Sequence, residues 1–342
     1  MTSKWGKLEV VDRPVPEPGV GQVRIRTTLA GVCGSDVHIF QGHHPTAVCP
    51  VVQGHEFVGT VEAVGPDTAL SVERGARVVV EPLISCGKCE ACRRGHFHVC
   101  RHLKLLGIHA DGAFGEYFLA PAEKLIAVPE GLSDRAAVLA EPFAVGVHVC
   151  ERARLELATR VLVVGAGPIG LVVGMVARAC GARVAVSEVS DERLELAASF
   201  GFATIDAKGS PGADAAAEAE AFTDGDGFDT TFEVSGSAPG LGLAMEATRV
   251  RGAVVQVGFF SEPPKVDLFK LTLKELAYAG SRVYTNEDFR RTLRLLEDLT
   301  ASGVLEPDRL ISEQTGLDGI GSAMDRMMKG AVLGKIVVDP ST

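Results

Sequence analysis

The chain lacks any run of about 20 uncharged apolar residues, so no segment is long enough to cross a bilayer as a helix. Its opening, MTSKWGKLEVVDRP, has no apolar stretch of the kind that an export signal carries. It also lacks a lysine or arginine stripe. Lys and Arg number 34 against 44 Asp and Glu, and the formal net charge is −10, which argues against nucleic acid as the main partner. The one basic patch, Lys88 to Arg101, is local and reads as a solvated face. No internal repeat or long low-complexity segment is present. These absences leave a soluble protein of the reducing cytoplasm as the expectation, with its eight cysteines available to metal as thiols.

What is there is a globular composition, 46% hydrophobic and 23% charged, in 342 residues. That length exceeds one ordinary core and predicts two domains. Four of the cysteines, Cys86, Cys89, Cys92 and Cys100, crowd into SCGKCEACRRGHFHVC with gaps of two, two and seven residues. Four thiolates so spaced can close a tetrahedral shell around one zinc. A closed sulfur shell leaves no position for substrate, so this zinc is predicted to be structural. Disulfides or unrelated thiols are the bland alternative.

Valine-rich runs broken by Gly and Pro, such as VRIRTTLAGV, FVGTVEAVG and ARVVVEP, predict a β-rich unit over the first part of the chain. Near Glu141 the pattern changes to apolar strands alternating with helices. Strands are predicted at 160–164, 183–187, 228–234, 253–257 and 276–280, with helices at 168–180, 191–200 and 239–250. That alternation predicts a parallel sheet covered on both faces. An amphipathic helix follows over 286–303, and a last strand over 332–339 rejoins the first domain. The Ala- and Asp-rich run 206–226 reads as a surface helix and loop.

Within this second region Gly165-Ala166-Gly167-Pro168-Ile169-Gly170 is a G-x-G-x-x-G that follows a strand and opens a helix. Gly165 permits a tight turn, Gly167 lets the backbone approach a pyrophosphate, and Gly170 lets helix and sheet pack. The helix N-terminus offers N–H groups and a positive dipole end to the phosphates. Glu188 ends the next predicted strand, 18 residues after Gly170. A carboxylate there accepts both ribose hydroxyls and repels a 2′-phosphate, so NAD is expected over NADP. Arg193 either covers the adenine or is merely exposed.

Two earlier segments, GVCGSDVH and GHE, place Cys33, His55 and Glu56 as one sulfur, one nitrogen and one oxygen donor. Three ligands with an open fourth position are what a catalytic zinc needs. A core Cys33 and a capping His55 are the alternatives for each residue taken alone.

Taken in order, GVCGSDVH, GHEFVG, the four-cysteine loop, EPFAVGVH and VGAGPIG resemble the zinc-dependent medium-chain dehydrogenase/reductase superfamily, over nearly the whole chain. The sorbitol (polyol) dehydrogenase-like branch is the closest resemblance, because GHE is followed by Glu141-Pro142. The resemblance implies a GroES-like catalytic domain at 1–144, completed by 282–342, and a Rossmann NAD-binding domain at 145–281. It implies a catalytic zinc on Cys33, His55 and Glu56, with Glu141 facing it directly or through water, and therefore two zincs per chain. It also implies that Ser35 takes the substrate proton and passes it toward His38, while Asp36 orients His55. Val257, Gly258, Ser281 and Val283 match positions that line the cofactor, and Arg282 and Tyr284 match positions near substrate. The activity implied is oxidation of a secondary alcohol of a polyol, sugar acid or hydroxylated ring to a ketone. L-threonine 3-dehydrogenase-like or simple alcohol dehydrogenase activity is the first alternative. A non-catalytic, redox-responsive zinc and NAD binder is the remote one. By family analogy the chain forms a dimer or tetramer of identical copies.

Overall fold

Strand β1 (Gln22–Val32) starts as an alternation of buried and partly exposed residues and ends with four consecutive buried ones. That switch marks where a half-solvated strand enters the interior of its unit. The structure is a computed structural model and describes residues 1–209 and 213–342, with the side chains of 213–217 outside the described set. The predicted surface helix and loop at 206–226 therefore falls partly outside the described residues; a helix spans Ala213–Phe222.

Contacts divide the chain into two units. One comprises Met1–Glu141 with Thr285–Thr342, the other Pro142–Tyr284. In the first, β1 pairs antiparallel with β2 (Glu56–Val64), which pairs with β3 (Arg77–Val80). β4 (Tyr117–Pro121) also pairs with β1, and β5 (Leu125–Ala127) closes onto β3. The inward residues Val23, Ile25, Phe57, Val61, Val78 and Phe118 make its core, with the Phe57 and Phe118 rings edge to face at 4.5 Å.

The second unit is a six-stranded sheet whose pairings are all parallel: β6 (Arg160–Val164), β7 (Arg183–Glu188), β8 (Ala203–Asp206), β9 (Phe228–Glu233), β10 (Thr248–Gln256) and β11 (Ala277–Gly280). The spatial order is β8-β7-β6-β9-β10-β11. The order reverses between β6 and β9, which is the switch point at which such sheets bind ligands. Four of the five residues of β6, RVLVV, are buried, as a strand covered on both faces requires. The helix Pro168–Ala179 after β6 ends before Gly181, whose φ of +88° suits the left-handed stop.

One element differs from expectation. The helix predicted to reach Val250 ends at Ala247, and β10 begins at once with Thr248. The Thr248 hydroxyl donates to the Ala244 carbonyl and lies 2.8 Å from Thr231 Oγ1. That side chain closes the helix while its backbone already joins the sheet, and β-branched Thr248 and Val250 suit the strand. After the second unit the chain returns to the first through a helix at Asn286–Ser302, opened by a Thr285/Asp288 capping box. β12 (Ile311–Thr315) and β13 (Lys335–Val338) then pair in parallel, and β13 lies antiparallel to the buried end of β1.

Candidate active site

In the four-cysteine loop all four sulfur atoms lie within 4.8 Å of one another. Cys89 Sγ is 3.5 Å from Cys92 Sγ and 3.9 Å from Cys100 Sγ. A tetrahedron with Zn–S bonds of roughly 2.3 Å has edges of about 3.8 Å. The loop thus has the dimensions of a zinc shell, and all four cysteines are free thiols rather than disulfides. Backbone N–H groups of Cys86 and His102 point at Cys100 Sγ, each at 3.3 Å. Backbone N–H bonds from Cys92 and Arg101 bring the Cys89 thiol down to about 6, whereas burial pushes Cys92 up to about 12.

The second donor set is assembled from separate elements. Cys33 directly follows β1 as the N-cap of a short helix, Gly34–Phe40, and Glu56 opens β2 directly after His55. The ladder sets Gly31 opposite Glu56, and a Cβ on Gly31 would come within 2.3 Å of Glu56 Oε2. Only glycine leaves room there for the carboxylate. One ligand atom each from Cys33, His55 and Glu56 lies within 4.8 Å of the others. Asp36 Oδ2 accepts the Cys33 backbone N–H at 2.9 Å, and Asp36 Oδ1 stands 3.8 Å from His55 Nδ1. Asp36 therefore holds the helix start and faces the imidazole together, at ion-pair rather than hydrogen-bond distance.

The charge balance around His55 tests whether a cation fits. Burial alone would pull the imidazole down. The Asp36 carboxylate, then Cys33 and Glu141, outweigh it and raise His55 well above the usual histidine value. Asp36 itself is raised, mainly by burial. A buried pocket with this excess of negative groups attracts a positive charge, and its S, N and O donors suit zinc. Glu141 is buried beside them but is not one of the three whose ligand atoms converge.

Two contributors escaped the sequence reading. Lys335, on β13, is buried with its Nζ 2.5 Å from the Glu56 carboxylate. Its ammonium is raised above its ordinary value because Glu56, followed by Cys33 and Glu141, outweighs burial. Gln53, also buried, donates to the Asp36 carbonyl at 2.9 Å and to Asp36 Oδ1 at 3.2 Å, and accepts from the Thr2 hydroxyl at 2.5 Å. Gln53 adjoins the GHE motif without being part of it, and Lys335 lies beside no recognisable motif. Ser35 is half-buried with its Oγ 3.7 Å from Cys33 Sγ, and His38 is exposed one turn further along the same helix.

In the second unit Gly165 has φ +104°, and a Cβ there would press on Ser235 at 3.1–3.2 Å. A Cβ on Gly170 would fall 1.9 Å from the Gly165 carbonyl, whereas one on Gly167 would meet nothing within 4 Å. The turn is thus closed on its packed side and open where a phosphate would approach, with Pro168 and Ile169 in the first turn of the helix that follows. Glu188 Oε2 accepts the Ala166 N–H at 2.9 Å, which sets the carboxylate against that turn, and Arg193 stands 3.8 Å from it. Val257 and Gly258 follow β10, their N–H groups bonded to the Glu233 carbonyl at 2.8 and 2.9 Å. After β11, Ser281 carries a buried Oγ with no hydrogen-bond partner among the described residues, and Val283 has φ +43°, a strained conformation for a β-branched residue. Arg282 is exposed, whereas Tyr284 is fully enclosed.

Residues 19–130 match the alcohol dehydrogenase GroES-like domain, and residues 168–298 match the zinc-binding dehydrogenase family. The chain belongs to the zinc-dependent medium-chain dehydrogenase/reductase superfamily, in its polyol branch. This zinc-binding dehydrogenase is 36% identical over 94% of its length to the 2-dehydro-3-deoxy-L-galactonate 5-dehydrogenase of Pseudoalteromonas atlantica, of which it covers 92%. It is 34% identical to the sorbitol dehydrogenase of Halalkalibacterium halodurans, over 90% of each chain. Among solved structures, the alcohol dehydrogenase rspB of Escherichia coli CFT073, complexed with NADH, superposes with a TM-score of 0.87 at 33% identity, covering 99% of this dehydrogenase and 97% of that chain. Among the described residues no helix is long and apolar enough to cross a membrane.

Proposed function

We propose that this dehydrogenase oxidises a secondary alcohol of a polyol, sugar acid or hydroxylated ring to the ketone, with NAD as hydride acceptor. The observation that carries this reading is the convergence of Cys33, His55 and Glu56 within 4.8 Å in a buried, negatively loaded pocket. Relatives that act on L-galactonate derivatives and sorbitol support the substrate class. The unit of Met1–Glu141 and Thr285–Thr342 supplies the chemistry, and Pro142–Tyr284 binds the nucleotide.

Cys33, His55 and Glu56 would hold a catalytic zinc, whose Lewis acidity makes a substrate hydroxyl more acidic. Glu141 is a second carboxylate that exchanges with Glu56 or acts through water. Asp36 and Gln53 keep His55 and the Cys33 turn in place. Ser35, beside Cys33, accepts the hydroxyl proton and donates its own onward, as a hydroxyl can do both. His38, exposed one turn away, delivers that proton to water. The four-cysteine loop holds a second, structural zinc. Glu188 favours NAD by accepting ribose hydroxyls and repelling a 2′-phosphate. Arg282 is the candidate for a substrate carboxylate; Tyr284, wholly enclosed, serves packing. Cytoplasmic conditions keep both sulfur sites reduced.

Assembly with further copies into a dimer or tetramer is part of the same reading. β11 is the edge of the sheet with Tyr278 40% exposed, and Phe259, Leu268, Phe269 and Leu273 are 66–87% exposed in the same unit.

The test is NADH formation by the zinc-loaded protein across a panel of C5–C6 polyols, sugar acids, L-threonine and simple alcohols. Highest kcat/KM on a polyol or sugar acid is expected. A preference for L-threonine or a simple alcohol would move the reading to the alternative, and no turnover with two zincs bound would overturn it.

A further inference from the structure

β9 ends in Glu233, a fully buried acid placed at the sheet's switch point beside β6. A buried carboxylate is tolerated only where its lone pairs are satisfied. Glu233 accepts from the Ser235 hydroxyl, from the Gly236 N–H at 3.0 and 3.2 Å, and from Gln256 Nε2 at 2.5 Å. Every one of these partners is a donor. Gln256 is itself fixed in orientation, since its Nε2 also donates to the Gly258 carbonyl at 2.8 Å and its Oε1 accepts from the Tyr278 hydroxyl at 2.8 Å.

The contacts of the neighbouring glycines show what this carboxylate ties together. A Cβ on Gly258 would lie 2.3 Å from the Gly236 nitrogen and 3.0 Å from Glu233 Oε2. A Cβ on Gly165 would touch Ser235 at 3.1 Å. The turn after β9 is therefore wedged between the turn after β6, which carries the glycine motif, and the turn after β10, which carries Val257 and Gly258. Each of the three turns holds a glycine at a close approach to its neighbour.

We propose that Glu233 is the positioning residue of the dinucleotide site, a single buried acceptor that locks the turns after β6, β9 and β10 in the spacing the nucleotide requires. This rests on reading the glycine turn as that site. Glu233 does not touch the nucleotide; it acts through Ser235, Gly236 and Gln256. The acceptor-only character of a carboxylate is the essential property. Glutamine has the same shape but turns one acceptor into a donor that faces donors.

The test uses the full-length, zinc-loaded protein and NADH titrated by fluorescence. Glu233→Gln is expected to raise the NADH Kd by about tenfold or more, with KM for NAD rising in parallel. At saturating NAD, kcat should stay within roughly threefold of wild type and zinc content should be unchanged. A purely structural role would lower the thermal midpoint while the folded fraction keeps the wild-type Kd, and that result overturns the proposal. Should Glu233→Gln not fold, Ser235→Ala removes one donor without a clash. It is expected to raise Kd about two- to fivefold, and an unchanged Kd there also overturns the proposal. Wild-type protein that binds no NADH would instead overturn the dinucleotide reading, and the role of Glu233 with it.

Discussion

The two candidate metal sites are built on opposite plans. The four-cysteine set draws every donor from fifteen consecutive residues, 86–100, and local backbone N–H groups lower the Cys86 and Cys89 thiols. The Cys33 group takes its ligands from the ends of two strands and sits against Asp36, Gln53 and a lysine 279 residues from Glu56. The first is chemically uniform and closed. The second is heterogeneous and buried, with its charge only partly compensated by Lys335. A local sulfur shell can hold a fold together, whereas a mixed, tertiary-assembled set has the open coordination that chemistry requires.

Substitution at the two sites should give mirrored outcomes, and this is the largest expected effect. Cys33→Ala should cost at least about 10³-fold in kcat/KM while NADH affinity and thermal midpoint stay near wild type. Cys92→Ser should instead lower the midpoint by roughly 5–10 °C with kcat preserved in the folded fraction. Steady-state kinetics and calorimetry on both variants check this; loss of turnover from Cys92→Ser alone would break the comparison.

A smaller effect concerns Lys335. In metal-stripped protein, Lys335→Met leaves Glu56 buried without its partner and should cost about 3–5 kcal/mol of stability. Added zinc should recover much of that loss, because the ion replaces the missing ammonium. Denaturant titrations with and without zinc measure both numbers, and a zinc-independent loss would mean that the pair serves packing alone.

Next in size is Asp36→Asn. It should weaken metal binding at the Cys33 site by about 10- to 100-fold and leave the four-cysteine loop loaded. Competition with a chelator, followed by metal analysis, separates the two populations.

The smallest effect is a pH dependence in the stripped loop. Cys89 lies near 6, below an ordinary thiol, so its reactive thiolate is present at neutral pH and is lost only as pH falls through about 6. Cys92, pushed up to about 12, stays protonated over the same range. Iodoacetamide at pH 7 should therefore label Cys89 first, with mass spectrometry reading the order, and zinc should suppress the labelling. Preferential labelling of Cys92 would contradict the assigned environments.

How far the sequence could be read follows the same division. The cysteine loop and the glycine turn are contiguous motifs whose spacing carries their geometry, and the chain alone exposed them. Cys33, His55 and Glu56 were legible because two short motifs each kept a ligand beside a turn. Lys335 was not, since a lysine in GKIVV has no local sign of burial and its partner joins only through strand pairing. Glu233 and Gln256 were missed for a similar reason: each is the last residue of its strand, and only the parallel register brings them together. The helix overextended to Val250 shows the limit of periodicity, because one threonine can end a helix and begin a strand.

β13 has a consequence for biosynthesis. The strand that covers the interior end of β1, and the ammonium that meets Glu56, are translated only after the whole six-stranded sheet has left the ribosome. The nascent first unit must wait with an unpaired strand edge and an uncovered acid. Strand-edge capture by a chaperone, or early loading of an ion, would shield it during that interval.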